Sequence, residues 1–267
     1  MKRAAPARLL LWPGMALVIG SSVDSRMHAH FALQLSLAAQ PFALQCGDGP
    51  SLPCSAACIA PNQAHQLWNQ GQSLLHVFAV LPPGMRLQSG QHGAQPAYAQ
   101  APGFAALRLA LLDLLTPHAD LSQAGALARA WLDLVLQPAP APGMRARLHA
   151  QRLEAVRTLI AADLQSRQAA QGLGARLAGA IHMSESRFHH WFSAQMGLPL
   201  SRYVLWQRLE AAAQAIAGGA SITAAAHHAG FADAAHMSRS FHATIGIAPS
   251  HLQKMTITFK PEAPPAA

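Results

Sequence analysis

Four side chains in the first quarter of this 267-residue chain have the types and spacing for coordination chemistry. His28 and His30 stand two apart in Met27-His28-Ala-His30, Gln34 follows four residues later, and His65 ends Ala60-Pro61-Asn-Gln-Ala-His65. Two histidines two apart in a strand point to the same side, and imidazole is a ligand for Zn, Cu and Ni. A third histidine from a neighbouring strand would complete a triad. Gln34 is neutral and a weaker ligand than a carboxylate, which weakens the case for a metal. The same four side chains equally suit the wall of an effector pocket without metal. No aligned acid or nucleophile accompanies them, so no catalytic residue is assigned and no enzyme mechanism follows.

A second set, near the other end, carries hydrogen-bonding rather than coordination chemistry. In Gly230-Phe-Ala-Asp-Ala-Ala-His-Met-Ser-Arg-Ser-Phe241, Asp233 is placed to cap a helix. Met237 and Phe241, four apart, give that helix an apolar face. Ala234, Ala235, His236 and Arg239 are left on the other face. Arginine makes bidentate contacts to guanine or phosphate, whereas alanine can only touch a thymine methyl.

The elements that must position these residues are themselves repeated. Leu177-Ala178-Gly-Ala-Ile181-His-Met183-Ser184 corresponds to Ala225-Ala226-His-His-Ala229-Gly-Phe231-Ala232, and Phe188, Phe192 and Gly197 recur as Met237, Phe241 and Gly246. An offset of about fifty residues marks an internal duplication. In each copy a short helix closes at a tight turn and a second helix restarts; Gly230 supplies the left-handed turn residue in one copy, and His182 must supply it in the other. Between the copies, Leu200, Val204, Leu205, Leu209, Ala212 and Ile216 followed by Gly218-Gly219 predict one amphipathic helix with a glycine stop. Such a helix spans roughly 25 Å at 1.5 Å per residue. That is enough to hold two helices about one DNA turn (~34 Å) apart.

With its Gly-Phe-x-Asp, Ser-Arg-x-Phe and Gly246-x-x-Pro249 block, the stretch from about Arg152 to Met255 resembles the DNA-binding domain of the AraC/XylS family of bacterial transcription regulators. The resemblance implies that Ser186, His189 and His190 of the first recognition helix face DNA, with Ala234, Ala235, His236 and Arg239 of the second. It implies double-stranded DNA as partner, RNA polymerase contact as the usual mode of activation, and a cytoplasmic protein. Nothing in the residues separates activator from repressor. The His-x-His and distant His resemble a cupin barrel, a common sensor domain of that family that binds a small effector and often no metal. Under this reading His28, His30, Gln34 and His65 line the effector pocket. Two other readings use the same histidines: a cupin metalloenzyme with a helical appendage, and a regulator that responds to a divalent metal.

The expected fold is α+β and multidomain: a cupin-like barrel over 1–100, a helical bridge and proline-rich linker over 101–143, an all-α domain with two helix-turn-helix motifs over 144–258, and a disordered tail over 259–267. Punctuation by Gly20-Ser-Ser, Cys46-Gly-Asp-Gly-Pro50 and Pro82-Pro-Gly84 gives the first region its all-β character. Leucine-rich segments over 104–115 and 121–136 predict two helices that either pair across a homodimer or cover the barrel. The net charge of +8 fits a polyanionic partner. From Ala146 onward eleven Lys/Arg against six Asp/Glu give +5 of it. Three cysteines, Cys46, Cys54 and Cys58, do not suit a disulfide framework and fit a reducing compartment. The apolar run Leu9–Ile19 is broken by Pro13-Gly14 and is too short to cross a bilayer, so it reads as the first strands rather than as a leader or anchor.

Overall fold

Pro13 followed by Gly14 at φ 76° supplies the residue pair of a type II turn, which joins the strands β1 (Arg8–Trp12) and β2 (Met15–Ser21) into a hairpin. The computed structural model describes residues 7–21, 25–138, 144–166, 172–245 and 255–259. The Gly246-x-x-Pro249 block, positions 139–143 of the linker and most of the expected tail lie outside them. Further strands are β3 (Leu33–Cys46), β4 (Leu52–Ile59), β5 (His65–Trp68), β6 (Leu74–Ala79), β7 (Met85–Leu87), β8 (Leu136–Pro138) and β9 (Thr256–Phe259). The main sheet runs β4-β3-β6-β2-β1-β9, with β5 also paired to β3. A register shift between Leu37 and Phe42 bends the long β3, so that its first half pairs with β6 and its second half with β5. Such irregularities curve a sheet toward closure.

The helices are α1 (Phe104–Asp113), α2 (Ala124–Val135), α3 (Met144–Ser166), α4 (Leu173–Ala180), α5 (Glu185–Met196), α6 (Leu200–Ala217), α7 (Ile222–His228) and α8 (Ala234–Ile245). Both predicted bridge helices form. They cover the barrel within one chain: Phe104, Leu111, Trp131, Leu132 and Val135 share a core with Leu10, Leu17, Leu33, Leu35 and Val77 of the sheet. Their apolar faces are thereby used, except that Leu109 stays 67% exposed.

Alternation along β1 decides how the halves meet. Leu10 and Trp12 enter the core under the bridge helices, while Leu9 and Leu11 enter a second core made with α3 to α8. Because successive side chains point to opposite faces, a strand buried on both sides needs an apolar run, and Leu9-Leu-Leu-Trp12 is one. The second core is continuous from Leu9, Val18 and Phe31 of the sheet region to Leu153, Phe192, Leu209 and Phe241 of the helices.

Two expected boundaries change accordingly. The bridge is part of the barrel unit, since β8, directly after α2, pairs with β7. The end of the DNA-binding region at 258 falls inside β9, which pairs in parallel with β1 from Arg8↔Thr256 to Leu11↔Phe259. A segment that follows the second helix-turn-helix thus closes the edge of the N-terminal sheet, where unpaired N–H and C=O groups would otherwise be exposed.

Candidate nucleic-acid interface and histidine cluster

Each recognition helix is started by a cap and held by a buried stripe. Ser184 accepts from the Arg187 backbone N–H at 3.4 Å to begin α5, and Asp233 accepts from the His236 N–H at 2.6 Å to begin α8. That second bond holds the Asp233 carboxyl below its ordinary range. Ser221 caps α7 through Ala224 N–H, and Gly230 adopts φ 76° in the turn that follows. His182 takes the left-handed conformation in the first turn, at φ 55°, as its position demands. The turns are not equal: positions 181–184 join α4 to α5, whereas 229–233 join α7 to α8, one residue more. The structural counterpart of the cap Ser184 is therefore Asp233, not Ala232.

Phe188, Trp191, Phe192 and Met196 are the buried stripe of α5; Met237, Ser238, Ser240, Phe241, Thr244 and Ile245 are that of α8. The opposite face of α5 exposes Ser186 and His190 as expected, together with Arg187 and Ala194. Arg187 is exposed on that face too, a candidate contact that sequence reading missed, although its place between exposed Ser186 and buried Phe188 allowed it. His189 leans aside: its Nε2 lies 3.8 Å from Glu185 Oε1, one turn back toward α4. On α8 the exposed face carries Ala235, His236, Arg239, His242 and Ala243. The ring of His236 stands edge-on to Phe231 at 5.4 Å. Ala234 is the departure, because at 100° per residue it falls on the inner side and packs against the core.

The four N-terminal residues do come together. The backbones of His28 and His65 form a bridge, and one ring nitrogen from each of His28, His30 and His65 lies within 4.8 Å of the others. Each Nδ1 is bonded to a carbonyl: His28 to Arg26 at 2.8 Å, His30 to Ala32 at 2.9 Å, His65 to Gln63 at 2.9 Å. A carbonyl only accepts, so each Nδ1 carries the proton and each Nε2 keeps a lone pair. His65 Nε2 is buried without a hydrogen-bond partner. Gln34 Oε1 is placed 2.8 Å from His30 Nε2 and Gln34 Nε2 2.9 Å from the Ser36 hydroxyl; with Nε2 of His30 unprotonated the amide is turned over, so that its nitrogen donates to His30 and its oxygen accepts from Ser36. Ser36 in turn meets Nδ1 of a fourth histidine, His76, at 2.9 Å. His76 sits in a strand and lacks the His-x-His spacing, so nothing local marked it.

Burial disfavours the charged form of three of the rings: it lowers His30, takes His65 down to about 3 and His76 to about 4. Three imidazoles oriented through Nδ1–H bonds fit a borderline divalent ion such as Zn²⁺. Loading one would require Gln34 to release His30 Nε2. The cysteines do not join the cluster among the described residues. Burial pushes the thiols of Cys54 and Cys58 up to about 12, away from the thiolate that metals bind.

The linker helix ties this N-terminal unit to both recognition helices. Glu210 of α6 is buried and accepts from the Gly14 backbone N–H of the β1–β2 turn at 2.6 Å, from Trp206 Nε1, and from Gln207 at 2.9 Å. Burial pushes its carboxyl up to about 7 against the lowering effect of those donors. Trp206 also stands edge-on to Phe31 at 6.1 Å.

A family model described as "Helix-turn-helix domain" matches residues 177–255. No curated protein matches the chain. Among solved structures, ToxT from Vibrio cholerae O395 is similar over 91% of this chain and 99% of its own at 9% identity, with a TM-score of 0.50. Apo ToxT from V. cholerae strain SCE256 is similar over 90% and 97% at 10% identity, with a TM-score of 0.49. No described helix is long and apolar enough to cross a membrane. Residues 177–255 thus form a helix-turn-helix domain, joined to an N-terminal sheet unit in the two-domain fold that ToxT also has.

Proposed function

We propose that this protein controls transcription by gripping promoter DNA with α5 and α8 of one chain, and that a small effector in the N-terminal domain sets the grip. The observation that carries this reading is the Glu210 bond to the Gly14 turn, because α6 is the element that spaces the two recognition helices. A ligand that binds one placement of the N-terminal unit better than another shifts the population of the DNA-competent arrangement. Promoter activation through RNA polymerase contact, a homodimeric state, a cytoplasmic location and the absence of catalysis belong to the same reading. A gel shift on the DNA upstream of the protein's own gene tests it: specific retention at moderate salt is expected, and equal retention of every sequence contradicts it.

A second reading, regulation by a divalent metal held by His28, His30 and His65, is favoured by the partnerless Nε2 of His65. A bound ion would lock the loop carrying His28 to β5. Titrating Zn²⁺, Cu²⁺ or Ni²⁺ into chelator-treated protein should then change DNA affinity in the native chain and not in the His28→Ala or His65→Ala variant. An unaltered response in both variants removes this reading.

A further inference from the structure

The caps set the register of the duplication. With the cap Ser184 placed on the cap Asp233, Phe188 falls on Met237 and Phe192 on Phe241. Two outward positions then correspond: Arg187 with His236, and His190 with Arg239. Each recognition helix carries one arginine and one histidine at the same two places, in exchanged order, and all four side chains are exposed. Residues 173–245 hold five arginines, no lysine and three carboxylates, a net of only +2 while their seven histidines are neutral. Every one of those histidines is exposed. Duplex DNA presents one negative charge per roughly 1.7 Å of its axis, so the histidines decide whether this surface is strongly or weakly cationic.

Neither His190 nor His236 is ion-paired with a described residue. On α5 the carboxylate of Glu185 turns to His189 instead, at 3.8 Å. Of the helices packed on α5, α4 carries Arg176, paired with Asp163 of α3. The ring of His149 of α3 meets Trp191 at 6.1 Å, and Arg202 of α6 lies over Phe31. On α8 the carboxylate is the cap Asp233, which faces both His236 and Arg239. The helices packed on α8 add His227 and His228 of α7, with Arg208 and the buried Glu210 of α6. At each recognition helix one guanidinium therefore stands against one carboxylate, and the histidines supply any surplus.

We propose that His190 and His236 are titratable counterparts of Arg239 and Arg187, each binding a DNA phosphate only when protonated, so that the grip of both recognition helices tightens as pH falls from 8 to 6. Histidine is the side chain that changes charge across this range. A phosphate beside the ring favours the charged form, and each charged ring on a phosphate releases a further counterion. The inference rests on the regulator reading and deepens it, because it makes proton concentration an input to the DNA-binding surface itself.

The test uses the full chain and a fluorescein-labelled duplex from upstream of its own gene, with affinity read by anisotropy at pH 8 and pH 6 over a series of KCl concentrations. The native chain is expected to bind roughly tenfold tighter at pH 6, with a salt dependence steeper by up to about 0.9 for each histidine on a phosphate. The double variant His190→Arg, His236→Arg should reach that affinity already at pH 8, a gain that a damaged fold does not produce. The double variant His190→Gln, His236→Gln should bind weakly at both pH values. His118→Gln, in the bridge, should keep the native response. Equal native affinity at the two pH values overturns the proposal, and so does a pH response with an unchanged salt slope. A response that survives in the double glutamine variant also overturns it and belongs to Glu210, whose carboxyl burial pushes up to about 7. The two readings fail separately: preference for the upstream duplex with no pH response removes the titratable contacts and keeps the regulator. A histidine-dependent gain that is equal on every DNA sequence removes the regulator and keeps the contacts, and no retention of any DNA at pH 6 removes both.

Discussion

Replacing Glu210 by glutamine should flatten the pH dependence of folding stability. Burial raises the Glu210 carboxyl to about 7 in the folded protein, against 4.5 for an ordinary glutamate carboxyl. The folded state therefore holds a proton that the unfolded chain releases at lower pH, so this group stabilises the fold most below about 4.5 and progressively less as pH rises through about 7. A difference of about 2.5 units corresponds to roughly 3 kcal/mol over that window, with a slope of up to ~1.4 kcal/mol per pH unit. The buried histidines act in the opposite sense. His65 and His76 are held neutral by burial, so they destabilise the fold as pH falls below about 6.5, where the unfolded rings protonate. Their contribution is common to both proteins and cancels in the difference. A glutamine keeps an oxygen for Gly14 N–H and Trp206 Nε1 but presents an amide to Gln207, at a cost of about 1 kcal/mol for one lost hydrogen bond. Glu210→Gln should accordingly be less stable than the native chain at pH 5 and equal or more stable at pH 8. Urea unfolding at half-unit steps from pH 5 to 8 measures this. Parallel curves, or a native stability that gains on the variant as pH rises, would refute the reasoning.

Three further outcomes follow from the helix-turn-helix units. Arg239→Ala and Arg187→Ala should each cost on the order of 1–3 kcal/mol of DNA binding; a base contact shows as relaxed preference at one position, a phosphate contact as an equal loss on all sequences. Phe192→Ala and Phe241→Ala remove fully buried rings and should lower stability by roughly 3–5 kcal/mol, so an unchanged melting temperature contradicts their place in the core. His182→Gly should relieve a left-handed backbone and His182→Val should aggravate it, separating the two variants by more than about 1 kcal/mol in chemical denaturation; equal midpoints would mean the turn is not strained.

What the sequence made legible is what is local. Caps, turn residues and buried stripes repeat at fixed spacing, so Gly230, His182, Asp233, Phe192 and Phe241 could be placed from their neighbours in the chain. The single extra residue in the second turn was hidden because the pairing Ser184 with Ala232 looks as good as the true Ser184 with Asp233 until the caps are seen. Ala234 was put outward because alanine carries no signal of its face. The His28-x-His30 spacing pointed to the triad, although both residues lie in the loop between β2 and β3 and not in a strand as expected; His76 reaches it only through pairing of β6 with β3, a contact across forty residues. The β9 strand is the extreme case. Thr256–Phe259 reads as a short apolar end, and only its parallel ladder to residues at the other end of the chain makes it part of the sheet. Nor does composition reveal that the Leu9–Trp12 run is buried on both sides by two different helical layers.

The central claim is that one chain grips two successive major-groove segments through α5 and α8. Hydroxyl-radical footprinting of the native, Arg187→Ala and Arg239→Ala proteins on a bound promoter fragment tests it most directly. The account predicts two protected patches on one face of the duplex, about one helical turn (~10 base pairs) apart, with each variant weakening a different patch. A single patch, or two patches weakened together by either variant, would contradict it.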